Sequence, residues 1–200
     1  MKFRVDPDVI KGLLLVAPKS DVRNYLEGIA VDCTKERTVL IATDGHILVA
    51  IPIPEEDVLE PSTDAGVYIL PRWELENAKP IKAGRISFKY DITIENDTFI
   101  LEGALKISAK LLDGTYPVWR RVVPTTLSGE VAQFDARLLA KLAKANALFG
   151  GEENRMYLHH NGNGTARVSG APNALMLIMP MRHDLTNFPA ETYSWEVDVS

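Results

Sequence analysis

The chain repeats one pattern three times: a short strand-like run followed at once by a segment that can form a helix. The strand-like runs begin at residues 3, 67 and 131, and the helix-compatible segments begin at residues 7, 71 and 135. A fixed period of this size, 64 residues at each step, indicates a repeated supersecondary unit. The three pairs are Phe3–Asp6 with Pro7–Ala17, Val67–Leu70 with Pro71–Ile81, and Val131–Phe134 with Asp135–Leu148.

The residues at the helix starts suit that position. Pro7 and Pro71 stand where a missing amide hydrogen costs nothing, and the side chain of Asp135 can cap free amide groups. The segment that Asp135 opens is rich in Ala, Leu and Lys, so it strongly favours a helix. The second helix is weaker, because Pro80 must end it or kink it.

Short β-rich runs separated by turn residues follow each helix. Asp44-Gly45, Asn96-Asp97 and Asn161–Gly164 predict tight turns between such runs. Since the strands follow one another without helices between them, the sequence predicts an α+β fold. The predicted strands are Ile29–Thr34, Val39–Thr43 and Ile47–Ile53 in the first unit, Arg85–Tyr90, Ile92–Glu95, Thr98–Glu102 and Leu105–Leu112 in the second, and Met156–His160, Thr165–Ser169 and Leu175–Met181 in the third.

The repeat also predicts the domain organisation. Residues 1–124 are predicted to form one domain of two units, 1–65 and 66–124, and residues 125–182 are predicted to form a third unit, which is half a domain. Residues 183–200 lie outside the repeat as a C-terminal tail.

The connections follow from turn-forming composition. Pro124–Glu130 is the best candidate for a linker between the second and third units, and Glu55–Gly66 is a second connection. In the tail, the alternation of Tyr193–Val199 fits an added edge strand or a partly disordered segment.

Composition excludes several classes of protein. Apolar runs such as Leu175–Met179 are far too short to span a bilayer, and no apolar stretch of signal-peptide length follows the N-terminus, so we expect a cytoplasmic location. Cys33 is the only cysteine, which excludes disulfides within the chain and multi-cysteine metal sites. The formal net charge of −5 argues against a uniformly basic protein, but DNA binding depends on where the cations lie.

Basic residues recur at the three predicted helices. Arg137, Lys141 and Lys144 are spaced so that they share one face of the third helix. A single face of this kind is usually just the solvated side of an amphipathic helix. Three such helices side by side, however, would form a positive surface suited to phosphates without reading bases. The residues at the first two helices are Lys11, Lys19, Arg72, Lys79 and Lys82.

Signals for catalysis or metal binding are weak. The adjacent His159 and His160 would point to opposite sides of a strand, so they cannot easily share a metal. Asp44 beside His46 could support acid–base chemistry, but Asp-Gly within a β pattern is more often a turn. The motifs of zinc hydrolases, phosphate-cradling loops and serine hydrolases do not occur. The sequence therefore predicts no enzyme, no metal site and no cofactor.

Four segments resemble the beta subunit of bacterial DNA polymerase III, the sliding clamp family. They occur in the family's order along the chain. The segments are Ser20–Gly28, which is similar to the stretch after the first helix of the family's middle domain; Ala42–His46, which matches its Ala-Thr-Asp-Gly-His; Leu112–Pro124, which is similar to its Asp-Gly-x-Phe-Pro-x-Tyr-Arg-Arg-Val-x-Pro; and Met179–Arg182, which matches its closing Met-Pro-Met-Arg.

This resemblance implies the DNA-clamp fold, in which helices line a DNA channel and sheets lie outside. Residues 1–124 would correspond to the family's middle domain, and residues 130–182 to the second half of its final domain. The family closes a six-domain ring from two three-domain chains, whereas two copies of this chain would supply six half-domain units. Ring closure is therefore in question. The third unit would leave a sheet edge open, which the tail could cover or the third units of two chains could share in a homo-oligomer.

The resemblance also implies a hydrophobic pocket into which partner proteins insert a short linear motif. Its equivalents here are Leu26, Thr43, Gly45, His46, Leu48, Pro117, Arg121, Val122, Leu177, Met179, Pro180, Met181 and Arg182. Flexible methionine side chains suit varied apolar ligands. The alternative for the apolar members is that they are simply core. Ile47 stands where the family commonly has arginine.

The expected function is that of a clamp-like processivity factor, of possible phage or mobile-element origin. It would bind peptide motifs of polymerases and repair proteins and hold these partners on duplex DNA, with Arg23 and Tyr25 joining the basic helix residues as DNA contacts. The alternative is a clamp mimic, or decoy, that binds such peptides without encircling DNA.

Overall fold

The computed structural model describes residues 1–34, 37–152 and 155–182. Its elements fall within the three units that the sequence repeat predicts. The first unit comprises β1 (Lys2–Val5), α1 (Pro7–Val16), β2 (Gly28–Cys33), β3 (Thr38–Thr43), β4 (Ile47–Pro52) and β5 (Val58–Glu60). The second comprises β6 (Gly66–Pro71), α2 (Arg72–Asn77), β7 (Lys82–Ala83), β8 (Ile86–Ser87), β9 (Tyr90–Glu95), β10 (Thr98–Glu102) and β11 (Lys106–Lys110). The third comprises α3 (Ala136–Leu148), β12 (Tyr157–His159), β13 (Ala166–Ser169) and β14 (Leu175–Ile178).

Capping at the helix starts agrees with the sequence. The side chain of Asp6 accepts a hydrogen bond from the amide of Asp8 at 2.8 Å, ahead of Pro7 in the first turn of α1. Asp135 accepts in the same way from the amide of Arg137 at 2.8 Å. Each bond satisfies an amide that the helix itself leaves free.

The first two units exchange their leading strands. β6, the first strand of the second unit, pairs antiparallel with β2 of the first unit, and β1 pairs antiparallel with β9 of the second. The resulting sheets are a five-stranded sheet of order β11-β10-β9-β1-β5 and a seven-stranded sheet of order β12-β13-β14-β4-β3-β2-β6. The first two units are therefore interlocked.

The third unit joins the first unit edge to edge. β14 pairs antiparallel with β4, with Leu177 opposite Leu48, so one sheet runs through both units. On the helical side α3 packs against α1, where the ring of Phe149 approaches Gly12 so closely that a Cβ there would lie 2.2 Å from Cε1 of the ring. No larger residue fits at Gly12 without movement of Phe149.

Each face of the seven-stranded sheet has its own apolar cluster. The larger cluster lies under the helices and includes Leu13, Val31 and Met176, all fully buried. The smaller cluster includes Ile41 and is covered by the segment from Leu112 to Val123. This second face carries the candidate site.

Several predicted elements differ from the structure. Val131–Phe134 was predicted as a strand and is not one. The predicted helix Pro71–Ile81 ends at Asn77, before Pro80, and the helices begin at residues 7, 72 and 136, so the spacing is not constant. Of the predicted strand Arg85–Tyr90, only two residues form a strand, in a small hairpin, and Tyr90 begins the next one. Glu55–Gly66 is not a plain connection, since it contains β5.

The remaining strands agree with the predictions to within a few residues, and the helices followed by antiparallel strands form the predicted α+β architecture. The interpretation of Tyr193–Val199 as an edge strand lies outside the described residues, as does His183.

Candidate functional site

An apolar cleft of about 230 Å³ opens where the first and third units meet. Three segments of chain form it: the turn between β3 and β4, the segment before and within the 3₁₀ helix Trp119–Val122, and the strand β14 with the residues after it. The lining residues are Arg23, Leu26, Thr43, Gly45, His46, Ile47, Leu48, Pro117, Val118, Trp119, Val122, Thr165, Leu177, Ile178 and Met179.

The turn between β3 and β4 is held rigidly by its own side chains. Oδ1 of Asp44 accepts hydrogen bonds from the amides of His46 and Ile47 at 2.9 and 3.0 Å. The hydroxyl of Thr43 donates to the carbonyl of Ile47 at 2.7 Å and accepts from the amide of Gly45 at 3.0 Å. Gly45 has a φ of +90°, which favours glycine. The sequence Thr-Asp-Gly-His therefore fixes one rim of the cleft.

Two contacts join this turn to the third unit. The ammonium of Lys141 on α3 lies 3.0 Å from Oδ2 of Asp44, whose side chain is only 11% exposed. The amide of Met179 donates to the carbonyl of His46 at 2.8 Å. Because the same short turn meets both α3 and the end of β14, the two halves of the cleft are held in register.

The opposite wall is anchored from below by one buried carboxylate. Asp32 on β2 accepts a hydrogen bond from the indole of Trp119 at 2.7 Å and pairs with the guanidinium of Arg120, which also lies 4.5 Å above the Trp119 ring. These contacts hold the 3₁₀ helix on the sheet. Trp119 was not predicted as a site residue, and its place directly before the Arg-Arg-Val of the quoted motif is the signal that could have found it.

The floor of the cleft is buried and its rim is open. Leu26, Leu48 and Leu177 are at most 5% exposed and belong to the smaller apolar cluster. Val118 and Val122 are 60% and 43% exposed at the rim. Buried leucines thus serve as both core and floor, while exposed valines leave apolar surface that a ligand could cover.

Arg23 closes one end of the cleft. Its guanidinium makes two hydrogen bonds of 2.9 Å to the carboxylate of Asp21 and approaches the carbonyl of Asp44 at 3.4 Å. Hydrogen bonding to Arg23 lowers the pKa of Asp21 to about 2, so this pair stays charged at neutral pH. The structure places Arg23 in the lining of this cleft, and its contact with DNA stays a prediction.

The last predicted pocket residues line a second cleft beside the first. Pro180, Met181 and Arg182 lie there with Asp135 and Leu138 of the third unit. The two clefts share Gly45, His46 and Met179. The predicted set is therefore divided between adjoining clefts. Arg121 lines neither of them.

The predicted basic surface is weaker than the sequence suggests. Arg72 is only 12% exposed, because its guanidinium donates to the carbonyls of Leu14 and Ala17 at the end of α1, both at 2.7 Å, and pairs with Glu76. It caps a helix and does not belong to an exposed basic face. Lys141 is paired with Asp44 as described above.

The other predicted DNA contacts are more open. Lys11 pairs with Asp8 and Arg137 with Asp135, both on the surface. The exposed lysines are Lys19, Lys79, Lys82 and Lys144, and Tyr25 is half-buried.

Within the described parts of the chain, no group of three or more His, Cys, Asp or Glu side chains is arranged to hold a metal ion. Among the same residues, none of the helices combines the length and the hydrophobicity needed to cross a bilayer.

Comparison with known proteins identifies the family. The model of the central domain of the DNA polymerase III beta subunit matches residues 7–118. The chain belongs to the DNA polymerase III beta subunit family. Among its relatives, the beta sliding clamp of Caulobacter vibrioides is 30% identical over 144 residues, 68% of this chain and 36% of the relative. That of Synechocystis sp. is 23% identical over 149 residues, 70% of this chain and 38% of the relative.

Solved structures of beta clamps share the fold. The DNA polymerase III beta subunit of Pseudomonas aeruginosa superposes with a TM-score of 0.65 at 19% identity, over 91% of this chain and 66% of that one. The Helicobacter pylori beta clamp bound to a DNA ligase peptide superposes with a TM-score of 0.71 at 13% identity, over the same shares. Sliding clamps are processivity factors and not enzymes, in agreement with the sequence. This chain spans less than two fifths of the curated relatives' length.

Proposed function

We propose that the chain is a sliding-clamp-like processivity factor whose cleft binds linear peptide motifs of polymerases and repair proteins. The observation that supports this most is the cleft itself, which has a buried leucine floor and an exposed valine rim at the junction of the first and third units. An extended peptide with apolar side chains would fill the floor, while its backbone would meet the polar turn that carries Gly45 and His46. The clamp of Helicobacter pylori, which shares the fold, binds a DNA ligase peptide.

Two predicted methionines, Met179 and Met181, lie at the clefts. Met181 is 38% exposed, and Met179 is fixed through its backbone amide, with its sulfur near the hydroxyl of Thr165 at 3.1 Å. Flexible thioether side chains can adapt to peptides of different sequence. A preference for a class of apolar motifs is therefore expected.

Fluorescence anisotropy with a labelled DNA ligase peptide tests this proposal. Val122→Asp places a charge at the apolar rim and should weaken binding by about tenfold or more, because desolvating a carboxylate against an apolar ligand is costly. Leu59→Asp is the matched control, since Leu59 is exposed to a similar extent, 42% against 43%, but lies on β5, in the other sheet and outside the cleft lining. Equal binding by both variants, or no binding by the parent even at millimolar protein, contradicts the proposal.

Holding partners on duplex DNA is the second part of the proposed function. The exposed lysines Lys19, Lys79, Lys82 and Lys144 could contact phosphates in a sequence-independent, salt-dependent manner. Replacing these four lysines by glutamate should abolish retention on nicked circular DNA at low salt. If the parent is not retained on circular DNA, or the variant is retained as well as the parent, the DNA part is wrong.

A clamp mimic is the second candidate. It is favoured by the ion pairing of Lys11, Arg137 and Lys141 with carboxylates and by the net charge of −5. Such a protein would bind the same peptides and compete with a full-length clamp for them. Peptide binding without any DNA retention would favour this candidate over the first.

A further inference from the structure

The leading strand of each of the first two units lies in the other unit's sheet. In one exchange Leu70 lies opposite Ile29, and in the other Val5 lies opposite Tyr90. All four residues are at most 3% exposed. Each unit thus donates one strand and accepts one, beside β2 in the first unit and beside β9 in the second.

The third unit has a donor segment at the equivalent position. Asp6 and Asp135 cap α1 and α3, which makes Val5 and Phe134 equivalent. Near the start of the chain, Met1 approaches Cys33 at the end of β2. Correspondingly, Gly129 donates to the carbonyl of His160 at 3.1 Å, just beyond the end of β12. The segment therefore runs past its own sheet as β1 does, but without a partner sheet it is not a strand.

Among the described residues, the third unit also has an acceptor edge with no strand beside it. β12 is the terminal strand of the seven-stranded sheet and pairs only with β13 among the described residues. Leu158 pairs with Val168 on β13 and faces the larger apolar cluster, just as Val31 pairs with Leu40 on β3 and faces that cluster. We therefore take Leu158 as the equivalent of Val31, and Met156 as the equivalent of Ile29. Ile29 and Val31 are fully buried, whereas Met156 and Leu158 are only partly buried.

Apolar side chains are exposed at both this donor segment and this acceptor strand. Val131 is 71% exposed and Tyr157 is 65% exposed. Phe134 is half-buried, although its equivalents Val5 and Leu70 are buried. The side chains that an exchanged strand would cover are the ones left open here.

We infer that two copies of the chain complete one clamp domain by exchanging residues 131–134 between their third units. The pairing seen between the first two units sets the register: Phe134 of one copy opposite Met156 of the other, and Val131 opposite His159. The interface is isologous, because every copy carries both the donor segment and the acceptor edge. The partner that fits both the donor segment 131–134 and the acceptor strand β12 is therefore a second copy of this chain.

Solution mass is the first test. Light scattering of the full chain during gel filtration should give roughly twice the 22.2 kDa of one chain, with dissociation on dilution. The double variant Val131→Asp, Tyr157→Asp should be monomeric with unchanged circular dichroism, since both side chains are exposed within one copy. Leu105→Asp, at an exposed residue of the second unit, should stay dimeric as the control. A monomeric parent, or a variant pair that stays dimeric, overturns the inference.

Disulfide cross-linking tests the register. Two single variants, Val131→Cys and His159→Cys, should form a covalent dimer under mild oxidation only when they are mixed, because residue 131 meets residue 159 of the other copy. The native Cys33 is buried and stays out of the reaction. Val131→Cys mixed with Leu105→Cys is the control and should not cross-link. Absence of the mixed cross-link, or an equal yield in the control, rules out the exchange. If a different partner covered this surface, the mixed cross-link would also be absent.

Discussion

The bridge between Asp44 and Lys141 gives the sharpest prediction about how the cleft is held together. Asp44 makes two hydrogen bonds within its turn and one ion pair across the junction, and its side chain is almost fully buried. Asp44→Ala removes all three contacts and leaves the amide of Ile47 without its acceptor. Since hydrogen bonds to a charged group contribute more than neutral ones, the free energy of unfolding should fall by about 2–4 kcal/mol.

Two conservative variants separate the turn from the junction. Asp44→Asn keeps an oxygen that can accept from the turn amides and loses only the charge, so it should cost about 1 kcal/mol. Lys141→Met keeps the turn and removes the ion pair; since Lys141 is 42% exposed, this should cost about 0.5–1 kcal/mol. The double variant Asp44→Asn, Lys141→Met should cost no more than about 1 kcal/mol in total, because both changes remove the same ion pair.

Urea unfolding followed by circular dichroism measures these values, with the m-value checked for constancy. Lys144→Met is the control on the same helix, where an exposed lysine should change stability by less than about 0.5 kcal/mol. Peptide affinity should depend on whether the β3–β4 turn keeps its shape. It should therefore fall in Asp44→Ala, which loses the turn hydrogen bonds, and change little in Lys141→Met, which keeps them. If Asp44→Asn costs as much as Asp44→Ala, or if the costs of the two conservative variants add fully, the assigned contacts do not act as argued.

Three further predictions concern other parts of the chain. Gly12→Ala should destabilise by about 1–3 kcal/mol in urea unfolding, since its Cβ would overlap the Phe149 ring, and Phe149→Leu in the same chain should recover part of the loss. Asp32→Ala should lower peptide affinity and alter Trp119 fluorescence, whereas Asp32→Asn should do so less; identical behaviour of the two would contradict the anchoring role. Burial raises the pKa of the Cys33 thiol from 9.0 to about 11, so the unfolded chain releases this proton first and stability should fall as pH rises across that range, with Cys33→Ala, measured by thermal unfolding, lacking this component.

The sequence predicts well those elements whose causes are local. The cap at Asp135, the place of Pro7 in the first turn of α1, the Asp44-Gly45 turn and most strand positions depend on neighbouring residues, and these agree with the structure. The α2 helix is shorter than its pattern because Pro80 and the preceding residues cannot continue it. Non-local roles were missed: Arg72 looks like a surface cation in the sequence, yet it caps the end of another helix.

The site shows the same division between local and non-local causes. The motif resemblance brought together residues such as His46 and Met179, which are far apart in the chain and joined by a backbone hydrogen bond in the structure. Thr165 lies outside the four segments, and its place at the cleft depends on a contact with Met179 that no local pattern encodes. Trp119 lies within one of the segments, but its contact with the distant Asp32 cannot be read from the sequence. The sequence around Arg23 does not reveal that its guanidinium approaches the carbonyl of Asp44 and lines the cleft.

The leading segments show most clearly why strand pattern and strand structure can differ. The same pattern of a short apolar run before a capped helix forms β1 and β6, but residues 131–134 do not form a strand. The backbone groups of a strand need a neighbouring strand to hydrogen-bond with. The local pattern therefore shows that a segment can form a strand, and a second sheet decides whether it does. The cleft needs no such completion, because β4 and β14 supply each other's partner. The described residues therefore form the cleft within one chain, whereas residues 131–134 are proposed to form a strand only beside the sheet of a second copy.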